Sequence, residues 1–327
     1  MTALNSASGI EYKFHADKRV SIITCPFSGG QGRYGVELGP DHVLEHGLAA
    51  QLEELSWTLT ATPTLTFTPP AQDPDAGKLK RPQFVADATR RVAESVAGVL
   101  ADGVFPLVIG GDHSLAIGTI SGMLSQHPDA CLLWIDAHAD INTPDSTPSG
   151  NIHGCPVAFV AGLVDPLPAQ FSWLESSVSG SASAPRLPLD RLAYIGLRDV
   201  DSGERAILRQ HNVAAFSMHH IDKYGIGKVV EMALARINPT GKAPVYVSFD
   251  IDALDPEHAP ATGTPVRGGL SLREACYICE AVAETGNLLG MDVMECNPVL
   301  GTDERSVAAT MSAACSVVRC AMGETLL

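Results

Sequence analysis

The feature that most constrains the fold of this chain is residues 134–156, which begin inside an apolar segment and then turn strongly polar. Residues 132–135 are apolar enough to form a strand that is buried on both faces. Asp136, His138 and Asp140 follow at alternate positions, so in an extended chain their side chains point to the same side. Two carboxylates and one imidazole in this spacing indicate metal ligands at the end of a buried strand.

Two further apolar strands lead into residues of the same kind. Residues 106–109 run into Gly-Gly-Asp-His-Ser, which places His113 shortly after a strand. Residues 245–249 run into Asp250 and Asp252, whose side chains again share a face. Ligands of open parallel α/β sheets bind outside the carboxyl ends of the strands, so the three strand ends are expected to converge on one site.

Aspartates that follow a strand have two interpretations. Such a residue often caps a helix or stabilises a turn, and this role is favoured for Asp112, which precedes a predicted helix. It cannot explain four carboxylates at one sheet edge, because without cations their pKa values would rise strongly or the site would unfold. Two divalent cations would balance the four carboxylates. The predicted metal ligands are His113, Asp136, His138, Asp140, Asp250 and Asp252.

The composition of this ligand set restricts the metal. It is rich in oxygen, contains two imidazoles and has no thiolate. Such a set favours Mn²⁺ over Zn²⁺, although ligand type alone does not exclude Fe²⁺, Co²⁺ or Ni²⁺.

Strand-like runs alternate with amphipathic segments along most of the chain. This order predicts a parallel sheet with helices on both faces, a three-layer α/β/α architecture. Further strands are expected at residues 20–24, within 57–67, and at 193–197, 213–216 and 288–294. Helices are expected at residues 39–50, 83–100, 115–126, 155–163, 202–211, 221–237, 272–284 and 302–323. Residues 165–189, rich in Ser, Ala and Pro, are expected to form a surface loop.

Composition narrows the domain organisation and the partners. The 327 residues show no dividing linker, so a single catalytic domain at 19–327 is expected after a flexible arm at 1–18. A formal net charge of −15 without a basic run argues against nucleic acid and anionic membranes as partners. The eight cysteines are irregularly spaced, and no signal peptide or membrane span is evident, which is typical of a cytoplasmic protein.

Three patterns outside the ligand set are assigned structural roles. Cys276 and Cys279 form a C-x-x-C pair in a predicted helix, and core packing is favoured because no second pair stands at zinc-finger spacing. The glycine-rich loop at 27–40 matches neither the G-x-G-x-x-G nor the P-loop pattern. His219 and His220 stand at a predicted strand-to-helix turn and are interpreted as structural.

Four motifs occur in a fixed order along the chain: GGDHS, DAHADINTP, SGNIHG and SFDIDALDP. In this order and spacing they resemble the ureohydrolase family, and within it the arginases. The resemblance extends from PFSGGQGRYGVELGP to MDVMECNP and so covers nearly the whole chain. It implies an arginase-like fold, L-arginine as substrate, L-ornithine and urea as products, and a homotrimer.

The resemblance also implies two Mn²⁺ ions per subunit. One ion would be held by His113, Asp136, Asp140 and Asp250. The second ion would be held by Asp136, His138, Asp250 and Asp252, so that Asp136 and Asp250 bridge. Two ions about 3.5–4 Å apart can lower the pKa of a shared water, whose hydroxide would attack the guanidinium carbon.

Three residues receive catalytic roles from the resemblance. Asp140 would carry a proton to the leaving amine, and Glu295 would bind the substrate guanidinium. His153 would exchange protons between the site and solvent, although capping of the following helix is the alternative. Asp292, out of phase with Glu295, is expected to face elsewhere.

Substrate contacts are implied in the loop at 142–151, which would receive the α-carboxylate, and at Asp201, which would receive the α-amino group. The implied substrate-binding residues are Asn142, Thr147, Ser149, Asn151, Asp201, Glu204 and Thr264. Asp145 and Pro148 vary the loop, and Asp145 adds a negative charge near the expected carboxylate position. An agmatinase, or a ureohydrolase of another guanidino compound, is the alternative, since it would share the metal site but not this loop.

The complete ligand set argues against two different kinds of protein. A non-catalytic protein on this fold should have lost metal ligands, whereas all six positions are filled here. A deacetylase-like zinc fold requires one ion, and six ligands suit two ions better.

One charged pair at the start of a predicted helix bears on the oligomeric state. Arg273 and Glu274 match positions in the interface of related trimers, which predicts an intersubunit ion pair. A solvated pair on the subunit surface is the competing interpretation, and such a pair contributes little to stability.

Overall fold

The computed structural model describes residues 14–15, 17–176 and 184–325. The predicted arm at 1–18 lies mostly outside these residues, as does the middle of the predicted loop at 165–189. The described end of that loop contains a short 3₁₀ segment, Ala169–Glu175.

A parallel sheet forms the centre of the molecule. Its strands are β1 Arg19–Cys25, β2 Thr58–Ala61, β3 Phe105–Gly110, β4 Cys131–Ile135, β5 Leu192–Leu197, β6 Ala214–Ser217, β7 Val245–Asp250 and β8 Leu288–Met294. In the described part of the chain the sheet has eight strands in the order β2-β1-β3-β8-β7-β4-β5-β6. The strand expected within 57–67 shortens to the four-residue edge strand β2.

Helices connect the strands. They are α1 Gly39–Glu45, α2 Leu48–Glu54, α3 Pro82–Ala101, α4 Ala116–Gln126, α5 Pro156–Ala161, α6 Ser202–Gln210, α7 Met218–Tyr224, α8 Ile226–Ile237, α9 Leu272–Ala283 and α10 Glu304–Ala321. The helices expected at 39–50 and 221–237 are each two helices. Gly47 and Gly225 separate them, with φ of 93° and 76°, values that end a right-handed helix and suit glycine.

The side chains of the strands alternate between the two faces of the sheet and contribute to a separate apolar core on each face. On β3, Leu107 and Ile109 pack into one core and Val108 into the other. The first core is completed by α1, α2, α8, α9 and α10, and the second by α3, α4 and α5. The predicted three-layer α/β/α fold is therefore confirmed.

Strand order explains where the polar residues meet. β3, β8, β7 and β4 are consecutive neighbours at the centre of the sheet, and all are parallel. Their carboxyl ends therefore lie side by side, and the residues that follow them share one edge. Among the described residues, no helix has the length and apolarity that crossing a membrane requires.

Candidate metal centre and substrate cavity

The predicted ligands meet at this edge in two groups. In the first, the Nδ1 atom of His113 lies 3.4 Å from Asp136 Oδ2, 3.6 Å from Asp140 Oδ2 and 3.1 Å from Asp250 Oδ2. His113 is fully buried, and Asp136 and Asp250 are nearly so. Three carboxylates thus surround one imidazole nitrogen.

The second group shares a carboxylate with the first. His138 Nδ1 lies 3.3 Å from Asp136 Oδ1 and 3.2 Å from Asp252 Oδ2. Asp136 therefore presents one oxygen to each imidazole. Ligand atoms of His113, Asp136 and Asp140 lie within 4.8 Å of one another, and so do those of Asp136, His138 and Asp252, a spacing at which a single cation can be held.

Tight turns at the strand ends fix these side chains. Asp136 Oδ1 accepts a hydrogen bond of 2.7 Å from the backbone N–H of His138, and Asp250 Oδ1 accepts one of 2.8 Å from that of Asp252. Asp140 has a φ of 49°, in the left-handed region that a non-glycine residue rarely adopts. Strained backbone of this kind clusters at functional sites, where the surrounding structure holds it.

The charges of the cluster are unbalanced without cations. Burial and the charges of neighbouring carboxylates raise the pKa of Asp140 and of Asp250 well above the usual range. Burial and the Asp136 charge also raise the pKa of Asp252, although His138 opposes this. These groups gain most from a nearby divalent cation, which would favour their ionised forms. The donor set therefore fits metal ions.

Three residues that the sequence reasoning missed hold the ligands in place, and two of them contact His113. The indole of Trp134 stacks on the imidazole of His113, with centroids 4.1 Å apart and an interplanar angle of 10°, and its Nε1–H donates to Asp136 Oδ2 at 2.9 Å. Ser248 Oγ lies 2.9 Å from His113 Nε2. Trp134 and Ser248 each precede a ligand by two residues, so the same alternation that revealed the ligands could have revealed them.

Arg198, the third of these residues, fixes the loop that carries Asp252. Its guanidinium donates to the backbone carbonyls of Asp252 at 2.6 Å, Ala253 at 3.0 Å and Leu254 at 3.1 Å. Burial lowers the pKa of Arg198, although the nearby carboxylates counteract this. A guanidinium that binds several carbonyls holds an irregular loop rigidly, so Arg198 supports the ligand through the backbone.

Glu295 follows β8 and faces His153 from behind the ligands. Its Oε1 accepts a bond of 2.9 Å from the backbone N–H of His113 and lies 3.2 Å from His153 Nδ1. Its Oε2 accepts one of 2.6 Å from Gln31 Nε2. Glu295 is buried and has a φ of 66°, a second strained residue at the site. His153 directs its ring at Glu295 rather than at the start of the following helix.

A polar cavity of about 190 Å³ opens above the ligands. It is lined by His138, Asp140, Asn142, Thr147, Pro148, Ser149, His153, Gly154, Asp199, Asp201, Glu204, Asp250 and Thr264. Two predicted site residues, Asn151 and Glu295, are not among the described residues that line the cavity. Thr264 donates a hydrogen bond of 2.8 Å to Asp252 Oδ2, so it supports a predicted ligand as well as lining the cavity.

Asp201 and Glu204 form one wall of the cavity at the start of α6. Asp201 is the N-cap residue, and Glu204 Oε2 accepts a hydrogen bond of 2.9 Å from its backbone N–H. Glu204 Oε1 accepts another from the backbone N–H of Ile141 at 3.1 Å, which joins the helix to the loop after β4. Burial raises the pKa of Glu204 to about 7.

The loop at 142–151 forms a second wall and is held by hydrogen bonds from Lys78 and Lys80. Lys78 Nζ donates to the backbone carbonyl of Asp145 at 2.6 Å, and the backbone N–H of Lys80 donates to that of Gly150 at 3.0 Å. Asp145 is not among the described residues that line the cavity, and its side chain is exposed to solvent. The negative charge expected near the carboxylate position thus lies outside the cavity.

The structure also shows the environment of the remaining predicted residues. Asp112 caps the turn His113–Leu115 by accepting from the backbone N–H of Ser114 at 3.0 Å, so its capping role is confirmed. Asp292 is bonded to Thr119 and Ser248 and, as expected, faces away from Glu295.

The C-x-x-C pair and the predicted interface residues lie on α9. Cys276 and Cys279 are free thiols buried in the first apolar core, as core packing predicts. Glu274 completes the N-terminal capping box of α9, and the guanidinium of Arg273 pairs with Glu280 of the same helix. Within the chain, therefore, Arg273 and Glu274 serve different partners.

Comparison with known proteins agrees with this geometry. The model of the Arginase family matches residues 18–323. The chain is 51% identical to the arginase of Eremothecium gossypii over 322 residues, which are 97% of this chain and 78% of that protein. It is 47% identical to the arginase of Saccharomyces cerevisiae over 340 aligned positions, covering 98% of this chain and 99% of that protein. The solved structure of arginase from Bacillus caldovelox superposes with a TM-score of 0.86 at 34% identity, covering 95% of this chain and all of that one.

Proposed function

The chain belongs to the arginase family and is an enzyme that hydrolyses L-arginine, and we propose that it does so with two Mn²⁺ ions held by its six strand-end ligands. The observation that carries the proposal is Asp136, a buried carboxylate whose two oxygens face the imidazoles of His113 and His138, the second of which lines the polar cavity. The products are L-ornithine and urea.

The two groups supply most of the residues that would hold the ions, and the resemblance to the arginases adds Asp250 to the second. One ion would be held by His113, Asp136, Asp140 and Asp250, and the second by Asp136, His138, Asp250 and Asp252. Paired divalent ions, when bound, supply a nucleophile from water at neutral pH and polarise the group that is attacked. The oxygen-rich donor set favours Mn²⁺ in this role.

Asp140 and His153 are placed to move protons. Asp140 belongs to the first ligand group and also lines the cavity, so its carboxylate can hold a proton taken from water and pass it to the leaving amine of ornithine. His153 lines the cavity and contacts Glu295, and its ring is one-fifth exposed. It can therefore exchange a proton between the reacting groups and solvent.

Glu295 would secure the guanidinium end of the substrate through this network. Its carboxylate contacts His153, which lines the cavity, and accepts from the backbone N–H of His113. A buried carboxylate with fixed partners stabilises a planar cation beside it. We assign Glu295 to this role on its position behind the ligands rather than on exposure to the cavity.

The two cavity walls suit the α-substituents of an amino acid. Asn142, Thr147 and Ser149 bring amide and hydroxyl groups that can donate to an α-carboxylate. Asp201 and Glu204, on the other wall, bring carboxylates that can accept from an α-ammonium. Agmatine carries an amine but no carboxylate, so it would leave the donors of the first wall unpaired.

Assembly and location complete the proposal. We propose a homotrimer in which Arg273, whose side chain is two-thirds exposed, contributes to the interface. We also propose a cytoplasmic location, which is supported by the eight cysteines, all of them free and buried.

The proposal is tested by loading the metal-free protein with Mn²⁺ and measuring ornithine and urea from L-arginine. Equal amounts of both products, formed only after loading, are expected. Asp136→Ala is the matched negative control, because it removes the shared ligand. Release of urea by the metal-free enzyme at the loaded rate would contradict the proposed metal dependence.

A further inference from the structure

One buried carboxylate near the site has no role in the proposed chemistry. Asp292, on β8, is fully buried, and none of the ion pairs formed among the described residues includes it. A buried charge of this kind is costly unless its oxygens are well bonded. The partners of Asp292 therefore indicate what it is retained for.

Asp292 is an acceptor for two hydroxyl groups. Thr119 Oγ1 donates to Oδ2 at 2.6 Å, and Ser248 Oγ donates to Oδ1 at 2.7 Å. Ser248 and Asp292 are direct neighbours in the register of β7 and β8. The sheet thus places the carboxylate beside the hydroxyl without help from a loop.

The single hydroxyl hydrogen of Ser248 determines which ring nitrogen of His113 carries a hydrogen. A serine hydroxyl has one hydrogen, and Ser248 directs it at Asp292. Toward His113 Nε2, 2.9 Å away, Ser248 Oγ can only accept, so Nε2 must carry a hydrogen. In the neutral ring the lone pair is then on Nδ1, the atom that faces Asp136 and Asp250.

We propose that Asp292 is a positioning residue that acts through Ser248 to hold His113 in the tautomer whose Nδ1 is free to bind a metal ion. The inference rests on the proposed Mn²⁺ site. Asp292 is needed because the Ser248 hydroxyl alone could either donate to His113 or accept from it. Thr119 donates to the second oxygen of Asp292, and none of the hydrogen bonds found among the described residues joins it to the ring, which makes it the matched control.

The substitution Asp292→Asn separates this role from simple filling of space. The asparagine side chain has a similar volume but carries an N–H₂ group, which can donate to Ser248 Oγ. The hydroxyl would then turn to donate to His113 Nε2 and drive the ring hydrogen to Nδ1, where it blocks metal binding. Partners of metal ligands typically change metal affinity by about 10–100-fold when replaced.

The experiment titrates metal-free protein with Mn²⁺ and follows unbound Mn²⁺ by electron paramagnetic resonance. The variants are Asp292→Asn, Ser248→Ala, Thr119→Val and the double variant Asp292→Asn/Ser248→Ala. Binding of one of the two ions should weaken by about 10–100-fold in Asp292→Asn and in Ser248→Ala. Thr119→Val should bind both ions like the wild type. The double variant should bind as Ser248→Ala does, because Asp292 acts only through that hydroxyl.

Three results would overturn the inference: wild-type affinity in Asp292→Asn or in Ser248→Ala, an equal loss in Thr119→Val, or additive losses in the double variant. If Asp292→Asn does not fold, Ser248→Ala and Thr119→Val still test the inference. Only Ser248→Ala removes the hydroxyl that lies between Asp292 and His113. A wild-type enzyme that binds fewer than two Mn²⁺ ions would instead contradict the proposed function, so the two failures are distinguishable.

Discussion

The amide Nδ2 of Asn142 donates a hydrogen bond of 3.0 Å to Asp201 Oδ2 and so joins the two walls of the cavity. Asn142 belongs to the loop after β4, and Asp201 lies at the N-terminus of α6. The groups proposed to receive the α-carboxylate and the α-ammonium of the substrate are therefore held at a fixed separation. This contact gives Asp201 a structural role beside the recognition role proposed for it.

Asp201→Asn should reduce kcat/KM for L-arginine by about 10–100-fold, because it removes the charge that pairs with the α-ammonium. Asparagine is also a good N-cap residue, so the melting temperature should change little. The Mn²⁺ content should remain that of the wild type, since Asp201 is not a proposed ligand. Steady-state kinetics with L-arginine and with agmatine measure the effect, and the low agmatine rate should be nearly unchanged.

Asp201→Ala serves as the comparison for that variant. It removes the charge and the cap together, so it should lose kcat/KM to a similar extent and also about 1 kcal/mol of stability. If Asp201→Asn retained wild-type kcat/KM while Asp201→Ala lost it, the residue would act only as a helix cap.

Replacement of the metal ligands should produce a graded loss. His113→Asn removes one ligand of one ion, so it should lose much of that ion and keep partial activity. Asp136→Ala removes the carboxylate that both groups share and should cost more, in metal content and in rate. Elemental analysis of the purified variants measures the occupancy. Full occupancy by two ions in both variants would rule out the ligand assignment.

Binding of Mn²⁺ should release protons at pH 7. Burial disfavours the charged imidazoles, but the surrounding carboxylates outweigh it and raise the pKa of His113 and of His138 well above their usual range. A raised pKa means that each ring holds a proton more tightly, and each must present a lone pair to bind a metal, so binding should release protons and affinity should rise with pH. Calorimetric titration in buffers of different ionisation enthalpy counts the protons released. A binding heat that is independent of the buffer would contradict this expectation.

The enzyme should be a trimer in solution, and Arg273→Ala should weaken it. Arg273 pairs with Glu280 in its own chain, and an exposed pair of this kind contributes little to the stability of one subunit. A shift toward monomers at low protein concentration, measured by light scattering, would show that Arg273 serves the assembly. If the wild type is a trimer and Arg273→Ala dissociates no more readily than it does, Arg273 has no role in the assembly.

The site was largely predictable because buried strands run into carboxylates and imidazoles, and strand order brings Asp136, His138 and Asp140 to Asp250 and its neighbours. The alternation of an extended chain does not itself persist past the strand ends, because Asp140 has a left-handed backbone and Asp252 lies in a 3₁₀ turn. The arrangement of Glu295 was harder to predict. Its φ of 66° turns the side chain toward Gln31 and His153, and no periodicity encodes a left-handed residue after a strand.

The breaks in the helices were missed for a different reason. Apolar residues continue at helical spacing through Gly47 and Gly225, so periodicity alone joins the flanking segments. Only the positive φ of each glycine ends the first helix and redirects the chain. The supporting contacts of Arg198 were equally inaccessible, because they reach a loop more than fifty residues further along the chain.

Substrate selectivity, measured as kcat/KM for L-arginine and for agmatine with the Mn²⁺-loaded wild-type enzyme, tests the assignment of the site most directly. The hydroxyls of Thr147 and Ser149 and the second amide hydrogen of Asn142 are donors that a carboxylate would accept from, and sites that lose such partners can reject analogues by about 10⁴-fold when fully buried. The cavity is open to water, so L-arginine should be preferred by about 10²–10³-fold. Comparable kcat/KM values for the two substrates would contradict the assignment of the two walls and of L-arginine as the preferred substrate.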